Sequence, residues 1–199
     1  MQREVFRSGF NRVLSVLAFA ALGALIVGTI GAGAVSSAPG IILGAAGASA
    51  LVWAVLWAPH VTVDDEAVTV ANVLTEHRVP WPALIHVDTR YALVLHTPRK
   101  KVSATGAPAP GALGAVRSAR ARRRSDSAPG QGVRPGDLPT TDSGRAAELV
   151  RDRWDALRDA GQIEAGVADE TPVTTSVRAA SIAALILGAA ALVGAALLA

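Results

Sequence analysis

The sequence predicts an α+β membrane protein: a transmembrane helical hairpin, then a bent antiparallel β domain capped by a helix, then a final transmembrane helix. The first observation is three apolar runs without a charged residue, at 13–35, 41–58 and 179–199. About 20 apolar residues cross the hydrocarbon core of a bilayer, so the first and third runs are long enough and the second is close to that length. The second observation is that the polar stretch between them starts with alternating strands and ends with an amphipathic helix.

The charges predict how these spans are oriented. All 19 Lys and Arg residues lie before Val13 or between His60 and Arg178. Because cytoplasmic segments carry the excess of Lys and Arg, we expect residues 1–12 and the long middle in the cytoplasm, and the uncharged turn at 36–40 outside. The sequence therefore predicts a multi-pass plasma-membrane protein with a cytoplasmic β domain.

A cleaved signal peptide is the alternative interpretation of the first run. A basic segment precedes it, and small residues at 32–34 or 36–38 would suit a signal peptidase. The apolar region of a signal peptide has about 7 to 15 residues, however, and cleavage would leave the basic middle outside the cell. A retained membrane anchor is therefore predicted.

Two features of the spans carry further predictions. Trp53 and Trp57 end the second span, and amphipathic rings favour the membrane interface, so both are predicted to be interfacial anchors. Small residues four apart at Gly40, Gly44 and Ala48 favour helix pairing or homo-oligomerisation, although an Ala- and Gly-rich sequence also produces such spacings by chance.

The stretch at 60–107 has the pattern of a small β domain. Residues 61–63 and 67–73 alternate with period two around the acidic turn Asp64-Asp65-Glu66, which indicates a β-hairpin. Further strands are predicted at 77–79, 85–91, 93–95 and 101–105. Five or six antiparallel strands follow from this pattern.

The composition changes after the strands. Residues 108–142 are rich in Pro, Gly, Ser and Arg and are predicted to form a flexible loop. An amphipathic helix at 143–161 is then expected to cover the sheet, ending at Gly161, with residues 162–178 as a linker to the last span. Its apolar face consists of Ala146, Val150, Trp154 and Leu157.

Several motifs of the middle stretch occur together in one known family. They are the turn Val63-Asp64-Asp65, the step Val79-Pro80-Trp81, the run from Val87 to Thr97 and the segment from Ala107 to Gly111. In this combination the chain resembles the bacterial pleckstrin-homology-like (PH-like) domains of actinobacterial membrane proteins, the type named after a low-molecular-weight protein antigen. The resemblance covers most of the chain except the arginine-rich insert.

The resemblance implies a half-open barrel with a C-terminal helix, held at the cytoplasmic face of the membrane, and no known enzymatic activity. A full PH fold has seven strands, so the pattern leaves the closure of the barrel open. Eukaryotic relatives bind inositol phosphates through a basic first hairpin loop. Here that loop is the acidic turn Asp64-Asp65-Glu66, which repels phosphate, so headgroup recognition is not carried over.

The predicted function is that of a non-enzymatic interaction module or scaffold with a protein partner in the membrane or envelope. The chain contains no cysteine, and no catalytic residue, cofactor site or metal site is assigned. One alternative is a small membrane enzyme or metal-binding accessory that uses the strand histidines His77, His86 and His96.

A sensor of anionic lipid is the other alternative. Near an anionic leaflet each basic residue contributes about 1 kcal/mol to membrane binding. The candidate contacts are Arg99, Lys100 and Lys101 at a hairpin tip, and Arg117, Arg120, Arg122, Arg123 and Arg124 in the loop. The opposing interpretation is a solvated basic loop. Nucleic acid is not expected as a partner, because no aromatic residue is interleaved with these arginines.

Overall fold

The computed structural model describes residues 3–34, 36–108, 141–164 and 166–198. The chain forms two compact units. Met1–Ser8 and His60–Ser176 make up the first, called here the β unit; Gly9–Pro59 and Val177–Ala199 make up the second, the helical unit. The β unit is therefore assembled from two stretches of chain that are far apart in sequence.

Four α-helices form within the described residues: α1 (Gly9–Gly31), α2 (Ala38–Val52), α3 (Asp142–Asp159) and α4 (Ala179–Leu197). α2 continues into a π-helical turn at Trp53–Trp57. α1, α4, and α2 together with its π-helical turn are each long and apolar enough to cross a membrane. The three predicted apolar helices are confirmed.

α1 begins four residues before the predicted span at 13–35 and ends four residues before its end. It begins earlier because the prediction located only the uncharged apolar run, whereas the hydrogen-bonded helix also includes residues before that run. It ends early because Gly33 adopts a φ of +72°, the left-handed conformation that terminates helices. The Gly33 and Ala34 amides then donate to the carbonyl groups of Ile30 and Thr29.

The helical unit contains one very close helix contact, between α2 and α4. A Cβ atom added at Gly47 would lie 2.7 Å from the carbonyl oxygen of Gly188, and one added at Gly188 would lie 2.9 Å from that of Gly47. Gly40 and Gly44 of the predicted small-residue stripe also face α4, near Ala195. The stripe therefore pairs two helices of one chain.

The β unit contains eight strands within the described residues. They are β1 (Glu4–Phe6), β2 (His60–Val63), β3 (Ala67–Ala71), β4 (Thr75–Pro80), β5 (His86–Asp88), β6 (Ala92–His96), β7 (Lys101–Pro108) and β8 (Thr174–Val177). One sheet has the order β1-β2-β3-β4-β8 and the other the order β5-β6-β7. The mixed α+β architecture with antiparallel pairing is as predicted.

The five or six strands predicted for 60–107 agree with the six strands β2 to β7, but two short strands outside that stretch were not predicted. Residues 1–12, predicted as a cytoplasmic N-terminus, contain β1, and the predicted linker at 162–178 contains β8. β1 has only three residues, too few for an alternating pattern to appear, and all four residues of β8 are exposed. Both segments are too short for periodicity to identify them, although the β-branched residues of β8 favour a strand.

Strand β5 is shorter than predicted. The strand expected at 85–91 ends at Asp88, whose side-chain Oδ1 accepts a hydrogen bond from the Thr89 amide at 2.8 Å. Such a local side-chain bond competes with the ladder and turns the backbone. β6 then begins only at Ala92, after a turn that includes Arg90 and Tyr91.

The core of the β unit lies between the two sheets and α3. Its fully buried side chains include Val61, Val68, Val70, Val79, Leu93, Leu95, Val102 and Val150. α3 buries Ala146, Val150 and Leu157 and packs the half-buried Trp154 against this core, as its helical pattern predicts. The Thr141 hydroxyl caps the helix by accepting the Gly144 amide at 3.0 Å.

One side chain joins the two sheets. Asn72, in the turn between β3 and β4, donates from Nδ2 to the carbonyl of Ser103 at 2.8 Å. Its Oδ1 accepts the Thr105 amide at 2.8 Å and the Thr105 hydroxyl at 2.9 Å. The carboxamide thus makes the hydrogen bonds to β7 that the backbone of a neighbouring strand would make. It connects the two sheets, which share no backbone ladder among the described residues.

Candidate functional site

The acidic turn between β2 and β3 is held by its own neighbours. Oδ1 of Asp64 accepts the amides of Glu66 and Ala67 at 2.9 and 2.8 Å. Arg78 on β4 pairs with Oδ2 of Asp64 at 3.2 Å and with Glu66 at 2.7 Å. Burial raises the pKa of Asp64, but these two amides and the Arg78 charge outweigh it and lower the pKa below its ordinary value.

The remaining acidic residue of the turn is also paired. Asp65 forms an ion pair with Arg153 of α3, and Trp81 donates from its indole nitrogen to the Asp64 carbonyl at 3.0 Å. All three carboxylates therefore meet an arginine of the same unit. The arrangement makes this turn a structural cluster, in which three carboxylates are paired with two arginines.

The basic hairpin tip, Arg99-Lys100-Lys101, lies between β6 and β7. Arg99 donates to the carbonyl of Asp169 at 3.1 Å, and Lys100 donates to the hydroxyl of Thr175 on β8 at 2.6 Å. Lys101 is exposed. Two of the three predicted lipid contacts therefore have partners within the protein, at Asp169 and Thr175. A lipid role for the tip stays a prediction.

His77 on β4 completes the contacts of Thr175. Its Nδ1 lies 3.0 Å from the Thr175 hydroxyl, and its Nε2 lies 3.1 Å from the Thr75 hydroxyl. Lys100 donates to the Thr175 hydroxyl, which keeps a second lone pair and its own hydrogen, so Nδ1 of His77 can donate to it or accept from it, depending on the tautomer. Burial and the Lys100 charge both lower the pKa of His77.

The other predicted lipid contacts, Arg117, Arg120, Arg122, Arg123 and Arg124, lie outside the described residues.

The strand histidines are only partly brought together. His86 and His96 are direct partners across β5 and β6, with ring centroids 5.6 Å apart in an edge-to-face arrangement. His77 lies in the other sheet. Among the described residues there is no group of three or more His, Cys, Asp or Glu side chains that could hold a metal ion. A metal or catalytic role for these histidines stays a prediction.

The exposed surface next to β5 was not recognised in the sequence. Tyr91, in the β5–β6 turn, is 77% exposed, and Ile85, just before β5, is 53% exposed. The guanidinium carbon of Arg90 lies 5.3 Å from the Tyr91 ring centroid. Ile85 lies at the opposite end of β5 from this turn, so Arg90 and Tyr91 alone are called here the Tyr91 surface. Periodicity could not reveal it, because the alternation at 85–91 predicts a continuous strand through Tyr91.

The two predicted anchor residues belong to the helical unit. Trp57 contacts Phe19 with ring centroids 6.4 Å apart, and the Arg12 guanidinium lies 5.3 Å from the Trp57 ring centroid. Trp53, at the start of the π-helical turn, is exposed. An aromatic ring beside a cation at the end of a span suits a lipid–water interface, and interfacial anchoring stays a prediction.

Comparison with known families agrees with this fold. The family model described as Bacterial PH domain matches residues 58–173, more than half of the 199-residue chain. The chain therefore belongs to the bacterial PH domain family, which confirms the PH-like part of the predicted resemblance. No curated protein and no solved structure matches it.

The matched region does not include every strand of the β unit. It begins two residues before β2 and ends at Val173, directly before β8. β1 and β8, which form the two edges of the five-stranded sheet, lie outside the match.

Proposed function

We propose that this protein is a non-enzymatic, membrane-anchored interaction module whose PH-like β unit binds a protein partner at the cytoplasmic face of the membrane. The observation that carries the proposal is the Tyr91 surface. Tyr and Arg are the residue types that most often dominate binding energy at protein interfaces. Here Arg90 and Tyr91 lie together in the β5–β6 turn, with the guanidinium of Arg90 against the ring of Tyr91, which is 77% exposed.

Two further observations support a protein partner over a phosphorylated headgroup. The acidic turn is negatively charged and engaged by Arg78 and Arg153. Lys100, in the basic tip, is engaged by Thr175. The cytoplasmic side is proposed from the distribution of Lys and Arg, which favours that side for both stretches of the β unit.

Photo-crosslinking in cells tests the proposal. A benzophenone amino acid at position 91 should yield a discrete protein adduct, which Arg90→Ala should reduce because it removes the stacked cation. The matched control places the same amino acid at Leu74, an apolar residue 51% exposed in the β3–β4 turn. Equal adducts at both positions, or none at position 91, would contradict a specific partner at the Tyr91 surface.

A further inference from the structure

Strand β1 forms an edge of the PH-like sheet although it precedes the first helix of the helical unit. It pairs antiparallel with β2, so that Glu4, Val5 and Phe6 face Val63, Thr62 and Val61. Phe6 packs against the buried core of the β unit. A strand that both extends the ladder and adds an aromatic side chain to the core is an integral part of the domain.

The residues around β1 also bind the start of α3. The Ser8 hydroxyl donates to Oδ2 of Asp142 at 2.5 Å, and Arg145 donates to Oδ1 of the same carboxylate at 2.6 Å. The guanidinium carbon of Arg145 lies 5.8 Å from the Phe6 ring centroid. Asp142 and Arg145 thus bind residues 6–8 through the ring of Phe6 and the hydroxyl of Ser8.

The position of this segment in the chain is unusual for a domain strand. Both α1 and α2 lie between β1 and β2, and the matched family region begins only at residue 58. With β1 counted, seven strands precede α3 within the described residues, the number expected of a full PH fold.

We propose that residues 4–8 are a tethered strand, bound in the groove between β2 and the start of α3, that completes the PH-like domain of the same chain after the helical hairpin has entered the membrane. Pairing of β1 with β2 requires residues 4–8 and the rest of the β unit to lie on the same side of the bilayer. A signal peptidase that removed the first apolar run would also remove β1.

Disulfide trapping in the full-length chain tests this assignment, since the protein contains no cysteine of its own. Val5 and Thr62 are direct partners, and partners in an antiparallel ladder have Cα separations within the range that a disulfide spans. Thr62 is a suitable site because its buried hydroxyl has no hydrogen-bond partner among the described residues. Val5→Cys with Thr62→Cys should therefore form a disulfide within one chain in membranes.

The matched control places the second cysteine on β3 instead of β2. Thr69 is the partner of Thr62 on β3, so Val5→Cys with Thr69→Cys places two strand spacings between the thiols, about 9 to 10 Å, beyond disulfide reach. Adding Phe6→Ala to the first pair should reduce its crosslinking, whereas adding Leu74→Ala should not.

Three other results would each contradict the proposal. A disulfide-linked dimer would show that β1 is donated by a second copy. Equal crosslinking of the control pair, or no crosslinking of the Val5–Thr62 pair, would show that residues 4–8 are not docked on β2. A purified chain that mass spectrometry finds to lack these residues would show that the segment is removed. None of these results depends on a partner at the Tyr91 surface.

Discussion

Single residues decide how this PH-like domain is held together, and most of them could not be assigned from the sequence. The acidic turn was predicted correctly as a hairpin connection, but its partners Arg78 and Arg153 come from other elements. Asn72 falls within the strand predicted at 67–73, yet it lies in the turn after β3 and its carboxamide bridges the two sheets. Side-chain pairing across distant elements leaves no local pattern, so only the folded arrangement reveals it.

The network around His77 leads to a prediction about pH. Because the pKa of His77 is lowered in the folded protein, the unfolded chain binds more protons at this site. The contribution of neutral His77 to the free energy of unfolding should be complete above the ordinary histidine pKa of about 6.5. It should be lost as the pH falls through the lower pKa that His77 has in the folded protein. Thermal unfolding at a series of pH values should show this loss, and His77→Asn should weaken the dependence.

His86→Asn provides the matched control for that experiment, since His86 also lies on a strand but has no contact with Thr175 in the described network. A pH dependence that is unchanged in His77→Asn, or equally weakened in His86→Asn, would contradict the assignment to His77.

Among the elements, long periodic ones were predictable and short ones were not. The three apolar helices and α3 were identified because each presents many residues in one repeating pattern. β1 and β8 have three and four residues and no such pattern. Arg151 donates to the Val87 carbonyl, a contact with a distant element that the helical pattern could not predict, whereas Asp155 pairs with Arg158 within the helix.

The close contact between α2 and α4 predicts a sharp difference between two glycines. Gly47→Ala should destabilise the helical unit by about 1 to 3 kcal/mol, as overpacking does, because the new methyl group would meet the Gly188 backbone oxygen, which cannot rotate away. Gly23→Ala on α1 should be neutral or slightly stabilising, since nothing lies within 4 Å of its added Cβ. Thermal unfolding in detergent measures both, and an equal effect at the two positions would argue against the α2–α4 packing.

At the scale of the whole molecule, the order of elements matters as much as their shapes. The β unit is interrupted by two apolar helices and followed by a third, whereas the family match covers only its second stretch. If these helices cross a membrane, the pairing of β1 with β2 requires both stretches of the β unit to lie on one side of it.

Thiol labelling in intact cells tests the proposed orientation. Ser36→Cys, in the exposed turn between α1 and α2, should react with a membrane-impermeant maleimide, whereas Ser103→Cys, exposed on β7, should react only after the cells are permeabilised. This outcome is expected because the segments with Lys and Arg remain in the cytoplasm. Labelling of position 103 in intact cells, with no labelling of position 36, would show that the orientation is the opposite of the one proposed.

The sequence by itself determined the number of apolar helices, the presence of a small antiparallel domain with a covering helix, and the family to which that domain belongs. The helices and the small domain follow from composition and periodicity, which are local and repeat along the chain, and the family follows from the resemblance of several short motifs taken together. The tertiary structure alone decided that residues before the first helix complete the sheet, that the acidic turn is satisfied internally, and that Tyr91 is exposed. Each of these depends on contacts between residues remote in sequence, whose burial and partners are set only when the sheets and α3 pack together.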